Sequence, residues 1–421
     1  MNAVNPLLSG SQEIGKLQVS VTSQDTSYPI PDATISISYT GVPDSILEQL
    51  STDSSGQTPT IDLAAPPLEY SLNEDNEQQP YAEYTIQADA PGYESVSVAG
   101  AEILPAVTAL QNIRMRPLRP ASPQEEVFVI PAHTLYGSYP AKIPESEIKP
   151  VTETGEIVLS RVVVPEYIVV HDGSPRDSTA KDYYVKYKDY IKNVASSEIY
   201  ATWPAETIRA NILAIMSFTL NRVYTEWYRN MGYDFTITSS TAFDHKWIPE
   251  RNFYDTISVI TDELFASSLS RPNVRQPILT QYCDGRQVQC PGWMTQWGSK
   301  SLGDQGYRAI EILRSFYGED MYINTAEAIS GIPASWPGYN LEIGSTGDKV
   351  RQMQEEINVI HEGYPAIPQV TPDGIYGPAT EAAVEKIQSV FGLPVTGIVD
   401  YKTWYKISEV YVGVSRIAEL N

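Results

Sequence analysis

Seven prolines between residues 117 and 150 (Pro117, Pro120, Pro123, Pro131, Pro140, Pro144 and Pro150) divide the chain. Each fixes φ and removes a backbone donor, so neither a long helix nor a central strand runs through such a stretch. What lies on either side must fold as separate units. Residues 119–160 read as an extended connector, open to proteases wherever it is not tied down.

The two sides differ in charge and in period. From Met1 to Ile113 the only basic side chain is Lys16, against fifteen acids. That asymmetry marks a separate, removable unit. Within 15–118 short alternating runs (Lys16–Val21, Ala33–Tyr39, Tyr81–Ala88 and Glu94–Val98) are broken by turn chemistry at Pro29–Asp32, Thr52–Gly56 and Pro91–Tyr93. This is the pattern of a small β-sandwich. The segments Pro29–Ala33, Thr52–Gln57 and Ala90–Tyr93 resemble, in that order, the transthyretin-like modules attached to many secreted enzymes.

Past the connector, Ile157–Ser160 and Tyr167–His171 read as strands, and His171-Asp172-Gly173 as a strand end turning. Tyr187, Ile191, Val194 and Glu198 then recur at helical spacing, which puts Glu198 on an apolar face. A second helix is expected from Pro204 to Gly232, with Glu206 in its first turn and Ile208, Ile212, Ile215, Met216 and Val223 facing a core. A carboxyl group on an apolar face is held protonated toward neutral pH, which suits acid chemistry on a sugar oxygen. After the breaker Gly331–Gly338, residues 339–421 read as a small helical bundle: Lys349–Ile360, Pro378–Phe391 and Asp400–Ile407, with no repeat array.

With 421 residues and 42% hydrophobic content, the chain is a folded multidomain protein. A net charge of -23 argues against nucleic acid and anionic membrane as partners. No apolar window reaches the length of a membrane span, and the N-terminal residues carry no export signal of the ordinary type. Cys283 and Cys290 are spaced for a local disulfide. With His245 they also offer zinc donors, although the spacing matches no common zinc pattern and no fourth ligand is apparent. No Ser-His-Asp triad, phosphate loop or metalloprotease helix is present.

Gly344–Val350, Gln354, Asp373–Thr380, Ala383, Val384, Gln388, Gly392, Leu393, Thr396, Gly397, Thr403 and Trp404 resemble the peptidoglycan-binding domain of type 1. The resemblance implies a cell-wall glycan or peptide stem in a shallow groove, with Tyr376 and Trp404 as candidate apolar contacts. Tyr190–Glu198, Trp203-Pro204, Gly232-Tyr233, Ser239-Ser240, Met294–Ser299, Gly306 and Ile312–Tyr317 resemble the SpoIID family of lytic transglycosylases. That implies an α+β catalytic domain over 161–325, with Glu198 as catalytic acid and no cofactor or metal. Ser240, Tyr282, Thr295 and Gln296 are candidates for holding substrate.

One carboxyl group suffices for this chemistry. It protonates the glycosidic oxygen between N-acetylmuramic acid and N-acetylglucosamine, then accepts the proton of the muramic C6 hydroxyl as an anhydro ring closes. The sequence departs from the family at Cys290–Trp293, where a Gly-His-Gly run is usual, and over Thr280–Gly285. The domain order, with Pro165–Gly173, Phe235–Asp244 and Gln281–Gly285, is similar to the clostridial spore cortex-lytic enzymes. This implies a spore protein of the cortex and coat region, acting on peptidoglycan in germination. It also implies a precursor activated by a subtilisin-like protease that removes the N-terminal part. A non-catalytic wall-binding or assembly protein, and an amide-cleaving hydrolase, are the competing expectations.

Overall fold

The computed structural model describes residues 13–119, 125–149, 159–331 and 336–415. On the N-terminal side the strands are β1 (Glu13–Ser23), β2 (Thr34–Tyr39), β3 (Ile46–Ser51), β4 (Ile61–Ala65), β5 (Ala82–Asp89), β6 (Ser95–Ile103), β7 (Thr108–Met115) and β8 (Glu125–Val129), with a short helix α1 (Glu69–Leu72) after β4. In β1 the side chains of Leu17, Val19 and Val21 are buried while those between them reach solvent, the period-two signature of a strand with one face on a core. Two sheets result, one of order β3-β2-β5-β6-β8 and one in which β1 lies between β4 and β7. Tyr84 Oη of β5 donates to the Ala64 carbonyl of β4 at 2.8 Å and ties the sheets together across the core.

The middle of the chain holds β9 (Val163–Val164), β10 (Tyr167–His171), β11 (Asp182–Lys186), α2 (Tyr187–Glu198), α3 (Ala205–Tyr224), α4 (Trp227–Asn230), β12 (Ile237–Thr238), β13 (Phe253–Tyr254), α5 (Asp255–Leu264), β14 (Ser267–Ser270), β15 (Tyr282–Cys283), β16 (Met294–Thr295), α6 (Gln296–Asp304), α7 (Ala309–Tyr317), β17 (Tyr322–Thr325) and β18 (Ala328–Ile329). Helix α3 is buried on nearly every side, with α2, α5, α6 and α7 packed around it. Several of its polar residues are bonded internally: Asn211 Nδ2 donates to the Thr207 carbonyl and to Ser299 Oγ, and Ser217 Oγ to the Ile278 carbonyl at 2.8 Å. The helix expected to run to Gly232 ends at Tyr224, because Glu226 takes a left-handed φ of 45° and starts the separate turn α4. Of the strand expected at Ile157–Ser160, residues 157 and 158 lie outside the described residues, and 159 and 160 are not strand.

The proline-rich stretch is held down over most of its described length. Glu125–Val129 adds β8 to the five-stranded sheet beside β6, and His133, Thr134, Lys142 and Lys149 are buried against the middle of the chain. Its prolines break helices but leave extended backbone free to be bonded by side chains. The N-terminal sheets are likewise continuous with the middle, since β13 pairs antiparallel with β7 and forms the edge of the sheet β13-β7-β1-β4.

The C-terminal helices are α8 (Asp348–Gly363), α9 (Pro378–Val390) and α10 (Tyr401–Ser415). Two matching turns join them, a repetition not expected from the sequence. Gln354 of α8 bonds Asp373 Oδ1, the Ile375 carbonyl and Thr380 Oγ1 through Nε2, and accepts from Gly374 N. Gln388 of α9 does the same with Thr396 Oγ1, the Ile398 carbonyl and Thr403 Oγ1, accepting from Thr396 N and Gly397 N. Helix α10 docks on the middle of the chain through Glu409, which lies 2.5 Å from Lys188 Nζ, and Lys402, 3.2 Å from Glu263. Among the described residues no helix is long and apolar enough to cross a membrane.

Candidate functional site

Glu198 is the last residue of α2 and only 3% exposed. The apolar spacing that places it there also buries Tyr187, Ile191 and Val194. Its carboxylate accepts from Lys246 N at 2.8 Å through Oε1 and from Gln296 Nε2 at 3.2 Å through Oε2, while the same Gln296 nitrogen donates to the Glu198 carbonyl at 2.9 Å. Burial pushes the Glu198 carboxyl above the ordinary range. The buried Lys142 ammonium is the main influence against that rise, followed by the Lys246 amide and Gln296. The C-terminal end of a helix also disfavours a carboxylate.

Around this group stand polar atoms that make no hydrogen bond to any described residue: His245 Nε2, Tyr282 Oη and Gln296 Oε1, all in buried side chains. Such atoms are costly in a folded interior and are the natural partners of a ligand. His245 lies between Phe218 and Tyr282, with ring centroids at 4.4 and 5.8 Å, and its Nδ1 is 3.0 Å from Tyr190 Oη. Burial, with the nearby Lys142 and Arg222 charges, holds the imidazole well below its usual range, so it is neutral.

The candidates fall into two groups. Gln296 touches Glu198, and Tyr282, in β15, carries one of the unpartnered atoms. Thr295 caps α6 in the next strand and is gripped by two glycines: a Cβ on Gly285, where φ is +83°, would lie 2.6 Å from Thr295 Cβ, and one on Gly298 2.2 Å from its Oγ1. Ser240 shapes the loop before His245, its carbonyl accepting from Phe243 N and Asp244 N. Tyr376 and Trp404 are elsewhere and are 1% exposed, so the groove contacts expected of them are replaced by packing in the C-terminal core; Tyr376 Oη donates to the Gly397 carbonyl at 2.8 Å. Cys283 and Cys290 are bonded to each other, which leaves neither sulfur to ligate a metal with His245. His171 sits at its turn with Nδ1 2.7 Å from Asp182 Oδ1.

Sequence reasoning missed three residues beside the site. Asp244 accepts from Arg222 Nε at 2.7 Å, from Tyr228 Oη at 2.6 Å, and from the Thr238 amide and hydroxyl, fixing the loop that carries His245 and Lys246. Arg222 adds a two-pronged pair with Glu145 at 2.6 and 3.0 Å. Lys142, from the proline-rich stretch, lies 5.3 Å from both the Phe218 and Tyr282 ring centroids and donates to the Asp244 carbonyl. Burial brings its ammonium down to about 8, against the pull of Glu198 and Asp244. No local pattern announces these contacts, which join positions far apart in the chain.

Residues 346–407 match the model of a family described as a putative peptidoglycan binding domain. The chain is 43% identical over 74 residues to the zinc D-Ala-D-Ala carboxypeptidase of Streptomyces albus G, a match of 17% of this chain and 27% of that protein. The chain thus spans about a quarter of the curated relative it matches, and the match falls on the binding domain. Among solved structures, the SleB N-terminal domain is 25% identical, with 18% of this chain and 99% of that chain covered and a TM-score of 0.16. The minor pilin GBS52 of Streptococcus agalactiae is 16% identical, with 27% and 48% covered and a TM-score of 0.19. Neither likeness is close enough to carry an argument. The chain is multidomain, with a C-terminal helical region similar to peptidoglycan-binding domains, and peptidoglycan is the partner that region indicates.

Proposed function

We propose that this chain is a lytic transglycosylase of peptidoglycan, of the kind represented by the spore cortex-lytic enzyme SleC. The observation that carries the reading is Glu198: a buried carboxyl group raised in pKa, amid unpartnered polar atoms, in a chain with a region similar to peptidoglycan-binding domains. Protonated, Glu198 donates to the glycosidic oxygen; ionised, it takes the C6 hydroxyl proton as the 1,6-anhydro ring forms. Gln296 and the Lys246 amide hold both carboxyl oxygens and favour the ionised form, so the group is poised between its two roles. In this reading Tyr282 Oη and His245 Nε2, both buried and without a hydrogen-bond partner among the described residues, bond hydroxyl or acetamido groups of the sugar.

The units belonging to this reading are a sandwich over 15–118, a linking stretch over 119–160, a catalytic unit over 161–325 and a wall-binding unit over 339–421. Localisation to the spore cortex, a role in germination and activation by a subtilisin-like protease complete it. The low exposure of Glu198 favours a stored precursor, and equally supports a second reading, a wall-binding protein without chemistry. Mass spectrometry of glycan products decides between them. Anhydromuramic ends released by the processed protein and absent with Glu198→Gln support the enzyme. No new ends from either leaves the binding protein.

A further inference from the structure

Residues 133–149 cross the face of the molecule that holds Glu198. Thr134 N donates to the carbonyl of Ser197, the residue before Glu198, at 3.2 Å. After a turn at 134–137, where Tyr136 N and Gly137 N donate to the His133 carbonyl, the strap runs without regular secondary structure between the loop at 240–245 and the segment at 276–287, with Ile143 N donating to the Ala242 carbonyl at 2.7 Å. Its main chain is held largely by glutamine side chains rather than by a strand ladder. Gln281 accepts from Glu145 N at 2.8 Å and donates to the Ile143 carbonyl at 2.7 Å, Gln276 accepts from Lys149 N at 2.7 Å, and Gln287 donates to the Leu135 carbonyl at 3.3 Å. Midway along, Lys142 Nζ lies 5.3 Å from the ring centroids of both Phe218 and Tyr282, and its charge acts on the Glu198 carboxyl.

Carboxamide side chains that both donate and accept, set along an extended cleft with aromatic rings at its centre, are suited to the acetamido and hydroxyl groups of an amino-sugar polymer. The peptide now there uses the same bonds. Near the strap's midpoint, Tyr282 Oη and Gln296 Oε1 remain without partners although buried, as expected where a substitute ligand fills the cleft but does not reproduce every contact.

Resting on the glycan-cleaving reading, we infer that the cleft bounded by Gln276, Gln281 and Gln287 is the saccharide-binding groove, and that residues 133–149 are its internal occupant, with Lys142 as the plug at Glu198. Inhibition then resides in the strap and not in the N-terminal sheets. A cut on the N-terminal side of the strap leaves the groove filled; only loss of the strap opens it.

The test uses the folded full-length chain with specific protease sites inserted within 120–124, within 150–158, or in both, in Glu198→Gln and Glu198 backgrounds. Chitohexaose is the binding probe, and peptide-free glycan strands are the substrate. The doubly cut Glu198→Gln protein, freed of the excised peptide, is expected to bind chitohexaose about tenfold or more tighter than the uncut and the 120–124 cut forms. A synthetic peptide of residues 133–149 should reverse the gain. Equal binding by all forms, or no competition by the peptide, overturns the inference. If the excised peptide stays bound, its displacement by chitohexaose supports the inference and its retention at saturating saccharide overturns it. Tighter binding without anhydro ends from the Glu198 form keeps the groove assignment and removes the transglycosylase reading, so the two failures are distinguishable.

Discussion

Arg251 and Glu102 form a buried ion pair across the junction of the N-terminal sheets and the middle of the chain, with Nη2 and Oε2 2.6 Å apart and neither side chain more than 1% exposed. The same guanidinium donates to the Ser196 carbonyl in α2, two residues before Glu198, at 3.0 Å through Nε. Glu102 lies in β6, so a sandwich residue helps to hold the helix that ends in the acid. Glu102→Ala strands a buried cation and should lower stability by about 3–5 kcal/mol, whereas Glu102→Leu with Arg251→Met should fall much nearer the parent. Urea denaturation of the single and double variants measures both. Equal losses in the two would show that the pair is not coupled.

Replacing Glu198 by Gln should cut the release of anhydro ends by the processed protein about a thousandfold or more. Stability should move the other way. The folded carboxyl titrates above its unfolded value, so its contribution is complete below that value and is lost as pH rises through the folded one. Near neutral pH the amide removes that loss, and thermal melting should shift upward, by an amount that shrinks in acid. A variant that melts lower at every pH would contradict the buried-acid description.

Gln296 donates to the charged form of Glu198 and so favours ionisation. With Gln296→Ala the carboxyl should hold its proton to higher pH. The alkaline limb of the kcat/KM profile, where the acid loses its proton, should therefore move upward, alongside a roughly tenfold to hundredfold fall in rate. A lower rate on an unmoved profile would assign Gln296 to packing alone.

The plug should respond to alkali. Lys142 titrates near 8 when docked and near 10.5 when free. Between those values the released strap binds more protons, so docking tightens as pH rises through that window, by roughly 3 to 3.5 kcal/mol at most. Hydrogen exchange of residues 139–145, corrected for the intrinsic pH effect, should show this gain in the parent and lack it in Lys142→Met.

Gln388→Ala removes bonds that close the turn between α9 and α10 and leaves two threonine hydroxyls without their amide partner. The C-terminal region should lose about 2–4 kcal/mol and with it retention on purified peptidoglycan. Cleavage of soluble glycan strands should persist, which a co-sedimentation assay beside the product assay would separate.

The sequence was most informative where burial follows a local period. Tyr187, Ile191 and Val194 mark the buried stripe ending at Glu198, and the alternation in β1 and β5 marks strands. It was least informative where a charge is placed by a distant partner. Lys142 comes from a stretch whose prolines say only that it is not helical, and Arg251 meets Glu102 across 149 positions of chain. Tyr376 and Trp404 show the other limit: an aromatic in a binding-type region reads the same whether it faces a groove or, as here, the core.

The pairing of β13 with β7 has a practical consequence. A protease that severs the peptide between them divides the polymer without dividing the particle, because the two pieces still share one sheet edge and the Arg251–Glu102 contact. Fragments resolved on a denaturing gel would then co-elute from a sizing column under native conditions, and the appearance of two bands would report a nick rather than a departure.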